Sequence, residues 1–220
     1  MVVDLNRIQC MPRYCKYLWA CRLMGVSDPE CFSGGIGNDY KIQQIPEELA
    51  ALYTITGYLM GNHIKNYLEI GSAAGGFIRG FHEQLGFELG IMIDDGGWTP
   101  EHQETNIEAF KSKITRCVPV DSHSTQAEMI VSGLPAMDFI FIDGDHTYEG
   151  VKKDFELIQP LCHQHTIIGF HDIHAVKAPG VDEYWGELVN NQIIMPIADI
   201  HAVDANISLG IGVAKLKMRL

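Results

Sequence analysis

Acidic and imidazole side chains in this 220-residue chain gather where apolar runs end. The densest group is Asp143-Gly144-Asp145-His146, directly after Phe139-Ile140-Phe141-Ile142, and a second, His171-Asp172, follows the apolar stretch 166–170. Carboxylates delivered by neighbouring strand ends can share a cation. Asp143 and Asp172, completed by waters and substrate oxygens, suit Mg²⁺ or Mn²⁺, and an imidazole from His171 would tilt the preference toward Mn²⁺ or another transition metal. A divalent ion there would lower the pKa of a substrate hydroxyl, and a base beside it would remove the proton. Asp145 and His146 both stand where that base is needed, and the imidazole has the better matched intrinsic pKa.

A different chemistry is written at Tyr67-Leu68-Glu69-Ile70-Gly71-Ser72-Ala73-Ala74-Gly75-Gly76, an apolar strand that runs into a turn of small residues and then a helix. Such a turn leaves backbone N–H groups unpaired at the helix start and lets a polar ligand approach the main chain. The spacing is neither Gly-x-Gly-x-x-Gly nor a phosphate loop with its Gly-Lys-Ser/Thr, so phosphate is not the obvious guest. A turn that merely packs helix on sheet is the plain alternative. The next apolar run ends in Asp94-Asp95, where nucleoside-binding α/β folds place an acid against ribose hydroxyls. Either of the pair could serve. Acidic residues thus stand at five successive strand ends, including Asp121 before Ser122, and ligands of open α/β sheets gather at such ends.

The elements that must position these residues are legible as alternating strands and helices. A helix is expected over 14–24, then a Gly-rich loop over 33–37. Another helix begins at Pro46, with Glu47 and Glu48 complementing its positive end, and stops at Gly61-Asn62. Strands are expected over 67–70, 87–93, 116–120, 137–143 and 166–170, with helices over 77–85, 101–110, 126–132, 148–157 and 181–189. Two last strands, 193–200 and 209–216, are joined by a turn near Asp204. This order implies an α/β fold with a mainly parallel sheet and a terminal hairpin.

Composition narrows the partners. A formal charge of -12 without a Lys/Arg cluster argues against nucleic acid and for a small-molecule substrate. No apolar run is long enough to span a bilayer and no leader-like segment opens the chain, so a cytoplasmic protein without membrane contact is expected. Cys10, Cys15, Cys21 and Cys31 lack zinc-knuckle spacing and read as reduced packing residues. His163, His165, His174 and His201 read as solvent-facing or structural, Trp98 as a stacking or core residue, and Gln43 and Gln44 as weak substrate contacts.

Two of these patterns resemble a known family. Glu69-x-Gly71-x-x-x-Gly75-Gly76 resembles motif I of class I S-adenosylmethionine-dependent methyltransferases, where the acid faces the cofactor's amino group and the glycines pass under its amino-acid portion. Ile142-Asp143-Gly144-Asp145-His146, Tyr148-Glu149-Gly150-Val151, Asp154-Phe155 and Gly169-Phe170-His171-Asp172 resemble metal-dependent small-molecule O-methyltransferases of the macrocin O-methyltransferase and cephalosporin-biosynthesis type. The resemblance runs from about Lys41 to the C-terminus. It implies a Rossmann-like class I methyltransferase fold: a mainly parallel seven-stranded sheet, helices on both faces and a C-terminal antiparallel hairpin. Residues 41–220 would form the methyltransferase domain, and residues 1–40 a helical and loop segment that covers substrate or joins subunits of a homo-oligomer. It further implies S-adenosyl-L-methionine bound by Glu69, Gly71, Ser72, Ala73, Gly75, Gly76, Asp94, Asp95 and Asp143, with Asp121 and Ser122 beside the adenine. Asp143 and Asp172 would bind Mg²⁺ (or Mn²⁺) and Asp145 or His146 would be the base. His171 departs from the pattern, which usually has a carboxylate there. The implied reaction is methyl transfer to a hydroxyl of a sugar or phenolic natural product. The rival readings are a hydroxylase-like enzyme on the same scaffold, or a domain that binds S-adenosylmethionine or a nucleoside without turnover.

Overall fold

A computed structural model describes residues 2–24, 42, 44–61, 63–96, 114–116, 120–204 and 207–217. In chain order the elements are β1 (Val3–Asp4), α1 (Leu5–Gln9), α2 (Tyr14–Leu23), α3 (Pro46–Met60), β2 (Asn66–Ile70), α4 (Gly76–Leu85), β3 (Leu89–Ile93), β4 (Ile114–Arg116), α5 (Thr125–Ser132), β5 (Met137–Ile142), α6 (Tyr148–Ile158), β6 (Cys162–Phe170), α7 (Pro179–Asn190), β7 (Ile194–Asp204) and β8 (Ile207–Leu216). The strands form one sheet in the order β1-β7-β8-β6-β5-β2-β3-β4. From β4 to β6 the pairs are parallel, and β8 runs antiparallel to both β6 and β7. This is the expected Rossmann-like sheet of seven strands with its terminal hairpin, extended by the two-residue β1 on the far edge.

Because successive strand side chains alternate between faces, one run builds two cores. Leu68 and Ile70 of β2 join Ile140 and Ile142 of β5 under α5, α6 and α7, whereas Tyr67, Phe139 and Phe141 enter the opposite core with α3 and α4. In that second core Phe77 stacks on Phe141 at a centroid distance of 4.2 Å, and Phe81 lies 4.6 Å from Phe139. Helix α3 is buried continuously from Glu48 to Thr56, which is why it reads as apolar nearly all round. At the N-terminal edge of the sheet Asp138 accepts hydrogen bonds from the backbone N–H groups of Lys65 and Asn66 and faces His163, so β2, β5 and β6 are pinned at that end.

Several boundaries differ from the sequence reading. The described part of the strand expected over 116–120 is Arg116, which ends the strand Ile114–Arg116; residues 117–119 lie outside the described residues, and Val120 donates its N–H to the carbonyl of Asp94. Strand β6 starts at Cys162, four residues before the expected 166, because pairing with β5 carries the polar Cys162-His163-Gln164-His165 into the ladder across a register shift. β1 and α1 were not legible, since a two-residue strand has no periodicity to read. Cys21 is buried, but Cys10 and Cys15 are exposed, so packing does not account for those two. The Gly-rich loop over 33–37, the helix over 101–110, Gln43 and Trp98 lie outside the described residues.

Candidate active site

Backbone hydrogen bonds set the strand tips at one level. Gly71 donates to the carbonyl of Ile93, Asp143 to that of Ile70, and His171 to that of Ile142, at 2.8–3.0 Å. The C-terminal ends of β2, β3 and β5 therefore open together onto a cleft of about 520 Å³. Gly71, Ala73, Asp94, Asp95, Asp121 and Ser122 line one part of it, and Asp143, Gly144, Asp145 and His146 the other. Its size falls in the range of about 300–1,000 Å³ usual for cofactor and small-molecule sites.

The turn after β2 takes its shape from positive φ at Gly71, Ala73 and Gly75, and Gly76 begins α4. Gly71 is needed for packing as well as access: a Cβ there would sit 1.9 Å from the carbonyl oxygen of Asp143. Asp94 braces the turn, accepting the N–H of Ala73 on Oδ2 and that of Gly96 on Oδ1, both at 2.7 Å. Asp95 stands beside it on the cleft wall. Glu69, by contrast, is sealed beneath the turn at 1% exposure, where its Oε2 accepts the Tyr67 hydroxyl at 2.5 Å. Burial raises the Glu69 carboxyl to about 8, against the opposing hydrogen bond from Tyr67. Ser72 is buried as well.

On the other side, Asp143, His146 and Asp172 each present a ligand atom within 4.8 Å of the others, so they could hold a metal ion. His146 Nε2 lies 3.1 Å from Asp172 Oδ2 and 3.5 Å from Asp143 Oδ1. Asp172 turns its carboxylate into this group from a left-handed backbone conformation, φ 62°, a strain of the kind that collects at functional sites. The hydrogen bond to Asp143 raises the His146 pKa above its ordinary value, burial opposing. Burial alone would raise Asp143, but the His171 and His146 rings hold its carboxyl below the usual carboxylate range.

His171, expected from the sequence as a metal ligand, stands beside this group, its Nδ1 3.4 Å from Asp172 Oδ2. Its Nδ1 faces Asp143 Oδ1 at 3.1 Å and its Nε2 faces Glu48 Oε1 at 3.2 Å, so both nitrogens are directed at carboxylates. Burial lowers its pKa, but Asp143 and Asp172 override that and raise it well above the ordinary value. The ring contributed by the structure to the candidate metal group is that of His146.

Sequence reasoning missed three residues. Asp154, fully buried in α6, accepts the Ser122 hydroxyl at 2.6 Å, faces His123 Nε2 at 3.1 Å and reaches Asp145 N–H at 3.4 Å, tying the Ser122-His123 wall to the Asp143–His146 loop. Its place four residues after Gly150 in a helix facing the sheet was the available signal. His123, which carries no local sequence mark, lines the cleft, and Glu48, legible in the sequence only as a first-turn acid of α3, lies behind it. His163, His165 and His201 take no part in the cleft, and His174 pairs with Asp199 at 2.7 Å.

Residues 68–173 match the family model of a methyltransferase domain. None of the curated proteins compared with the chain matches it in sequence. Among solved structures, the O-methyltransferase from Bacillus cereus in complex with SAH has a TM-score of 0.58 at 14% identity, covering 93% of this chain and 89% of that one. The O-methyltransferase TomG from Streptomyces achromogenes, involved in tomaymycin synthesis and in complex with SAM, gives 0.57 at 13% identity, covering 94% and 91%. Cofactor-bound Rv0187 from MTB gives 0.62 at 12%, covering 95% and 91%. At these identities the likeness is one of fold.

Proposed function

From a chain whose residues 68–173 match a methyltransferase-domain model, we propose an S-adenosylmethionine-dependent O-methyltransferase that acts on a hydroxyl of a small molecule, a sugar or a phenolic compound. The observation that carries this reading is that the Asp143, His146 and Asp172 group stands at the mouth of the same cleft that the glycine turn and Asp94-Asp95 enclose. The fold shared with O-methyltransferases that hold SAM or SAH supports it.

The cleft suits this cofactor on its own residues. Asp94, Asp95, Asp121 and Asp143 make the wall acidic, favouring a cationic sulfonium over its neutral thioether product. S-adenosylmethionine supplies an electrophilic methyl group; the acceptor oxygen bonds to that carbon as the carbon–sulfur bond breaks, and the hydroxyl proton must leave. In the cation-free site His146, half exposed at the rim, receives that proton and the carboxylates of Asp143 and Asp172 stabilise the resulting imidazolium, whereas with His146 on a cation Asp145 takes the proton. Mg²⁺ or Mn²⁺ held by Asp143, Asp172 and His146 would supply positive charge that lowers the hydroxyl's pKa. Asp145 holds the loop by accepting the Thr147 N–H and is the second candidate base.

The N-terminal segment packs on the helix that carries Glu48: α2 lies on α3, and Arg22 pairs with Glu47 in the first turn of α3 at 3.0 Å. None of the described helices is long and apolar enough to cross a membrane. Calorimetry with S-adenosylmethionine, followed by transfer of labelled methyl to a panel of sugars and phenols with Mg²⁺, Mn²⁺ or chelator, tests the reading. Binding with turnover that Asp143→Ala abolishes is expected; absence of cofactor binding overturns it.

A further inference from the structure

Glu48 sits in the first turn of α3, 123 residues before His171, yet it is fully buried against the back of the candidate metal group. Its Oε1 accepts the Ile45 N–H at 3.1 Å and faces His171 Nε2 at 3.2 Å, while its Oε2 has no hydrogen-bond partner among the described residues. A first-turn glutamate that only caps a helix can do so from the surface, with its second oxygen in water. Burying a carboxylate with one oxygen bare is costly, and the ring of His171 is what it faces.

That ring is fixed at both nitrogens. On its far side it meets Asp143 Oδ1 at 3.1 Å and Asp172 Oδ2 at 3.4 Å. The other oxygen of Asp143 is approached by the Gln44 amide, also buried and from the segment just before α3, at 3.5 Å. Both oxygens of Asp143 therefore face groups that α3, or the segment leading into it, supplies or braces. Groups behind a metal ligand orient it and adjust its basicity, and their loss typically lowers metal affinity.

We propose that Glu48, acting through His171, is a positioning residue that fixes the Asp143 carboxylate for divalent-cation binding, and that His171 is a bridge and not a ligand. This rests on the reading that Asp143, His146 and Asp172 hold the cation.

The test is Mn²⁺ titration by calorimetry on the full chain, with S-adenosylmethionine titrated on the same samples. Glu48→Gln keeps an oxygen for the Ile45 N–H but removes the charge behind His171, and it should weaken Mn²⁺ binding about 10–100-fold while cofactor affinity stays within about twofold. Glu48→Asp, which retracts the carboxylate by one methylene, should give a smaller loss and serves if the first variant does not fold. His171→Asn should weaken Mn²⁺ comparably, and the double variant should be no worse than His171→Asn alone, because the two residues act in series. Unchanged Mn²⁺ affinity in both Glu48 variants, or losses that multiply in the double variant, overturns the inference. A wild-type chain that binds S-adenosylmethionine but not Mn²⁺ overturns it and leaves the methyltransferase standing, whereas one that binds neither removes both.

Discussion

Replacing Gly71 with alanine should damage the fold and the site together, through one contact. The backbone there has φ 79°, a left-handed conformation that costs an L-residue about 1–2 kcal/mol. The added Cβ would lie 1.9 Å from the Asp143 carbonyl oxygen and 2.8 Å from the Gly144 Cα, so the carbonyl must retreat to at least 3.0 Å. Both atoms that yield are backbone, in the tip of a central strand whose N–H is bonded to Ile70, and no side-chain rotation relieves them. Strain and lost ladder bonding together are expected to cost about 4 kcal/mol or more, at the upper end for single substitutions. In urea, with a slope of about 2–3 kcal/mol per molar, the midpoint should fall by about 1.3–2 M. Because a 1 Å misplacement near reacting groups costs about 100-fold, whatever enzyme folds should also have lost most of its activity. Gly186→Ala is the paired control: it lies within α7, its Cβ would meet nothing within 4 Å, and it should raise stability by about 0.5–1 kcal/mol. A Gly71→Ala midpoint within about 0.3 M of wild type would refute the argument.

Other perturbations probe separate parts of the site. Burial holds the Glu69 carboxyl up at about 8 from an ordinary 4.5, so its neutral form is favoured in the folded chain. Stability from this group is complete below pH 4.5 and lost as pH rises through 8; at about 1.4 kcal/mol per pH unit, Glu69→Gln should become the more stable protein by up to about 5 kcal/mol above pH 8. Urea midpoints of the two proteins that stay parallel from pH 5 to 8.5 would contradict this. Asp94→Ala removes the acceptor for the N–H groups of Ala73 and Gly96 and should weaken S-adenosylmethionine about 10–100-fold by calorimetry; unaltered affinity would show that the turn needs no brace. Asp154→Ala leaves the donors of Ser122, His123 and Asp145 without their buried acceptor and should cost about 3 kcal/mol in chemical denaturation, against an expected loss under about 0.5 kcal/mol for the exposed Glu149→Ala.

The sequence by itself determined the strands, the order of helices between them, and which residues end on the functional rim. Period and punctuation are local properties: Phe139-Ile140-Phe141-Ile142 cannot be other than a covered strand, and the acids after it must emerge where the strand stops. The same signal failed for β1, too short to show a period, and for the polar start of β6, which pairing alone holds in the sheet. Only the tertiary structure decided what each acid does. Asp94 turned out to brace the glycine turn, Glu69 to lie beneath the cleft, and His171 to face Glu48, because those roles depend on which groups from distant segments approach within about 3 Å of each oxygen or nitrogen. Spacing along the chain carries no such distance. Folding brings α3 against the ends of β5 and β6, and the electrostatics of the rim are settled there.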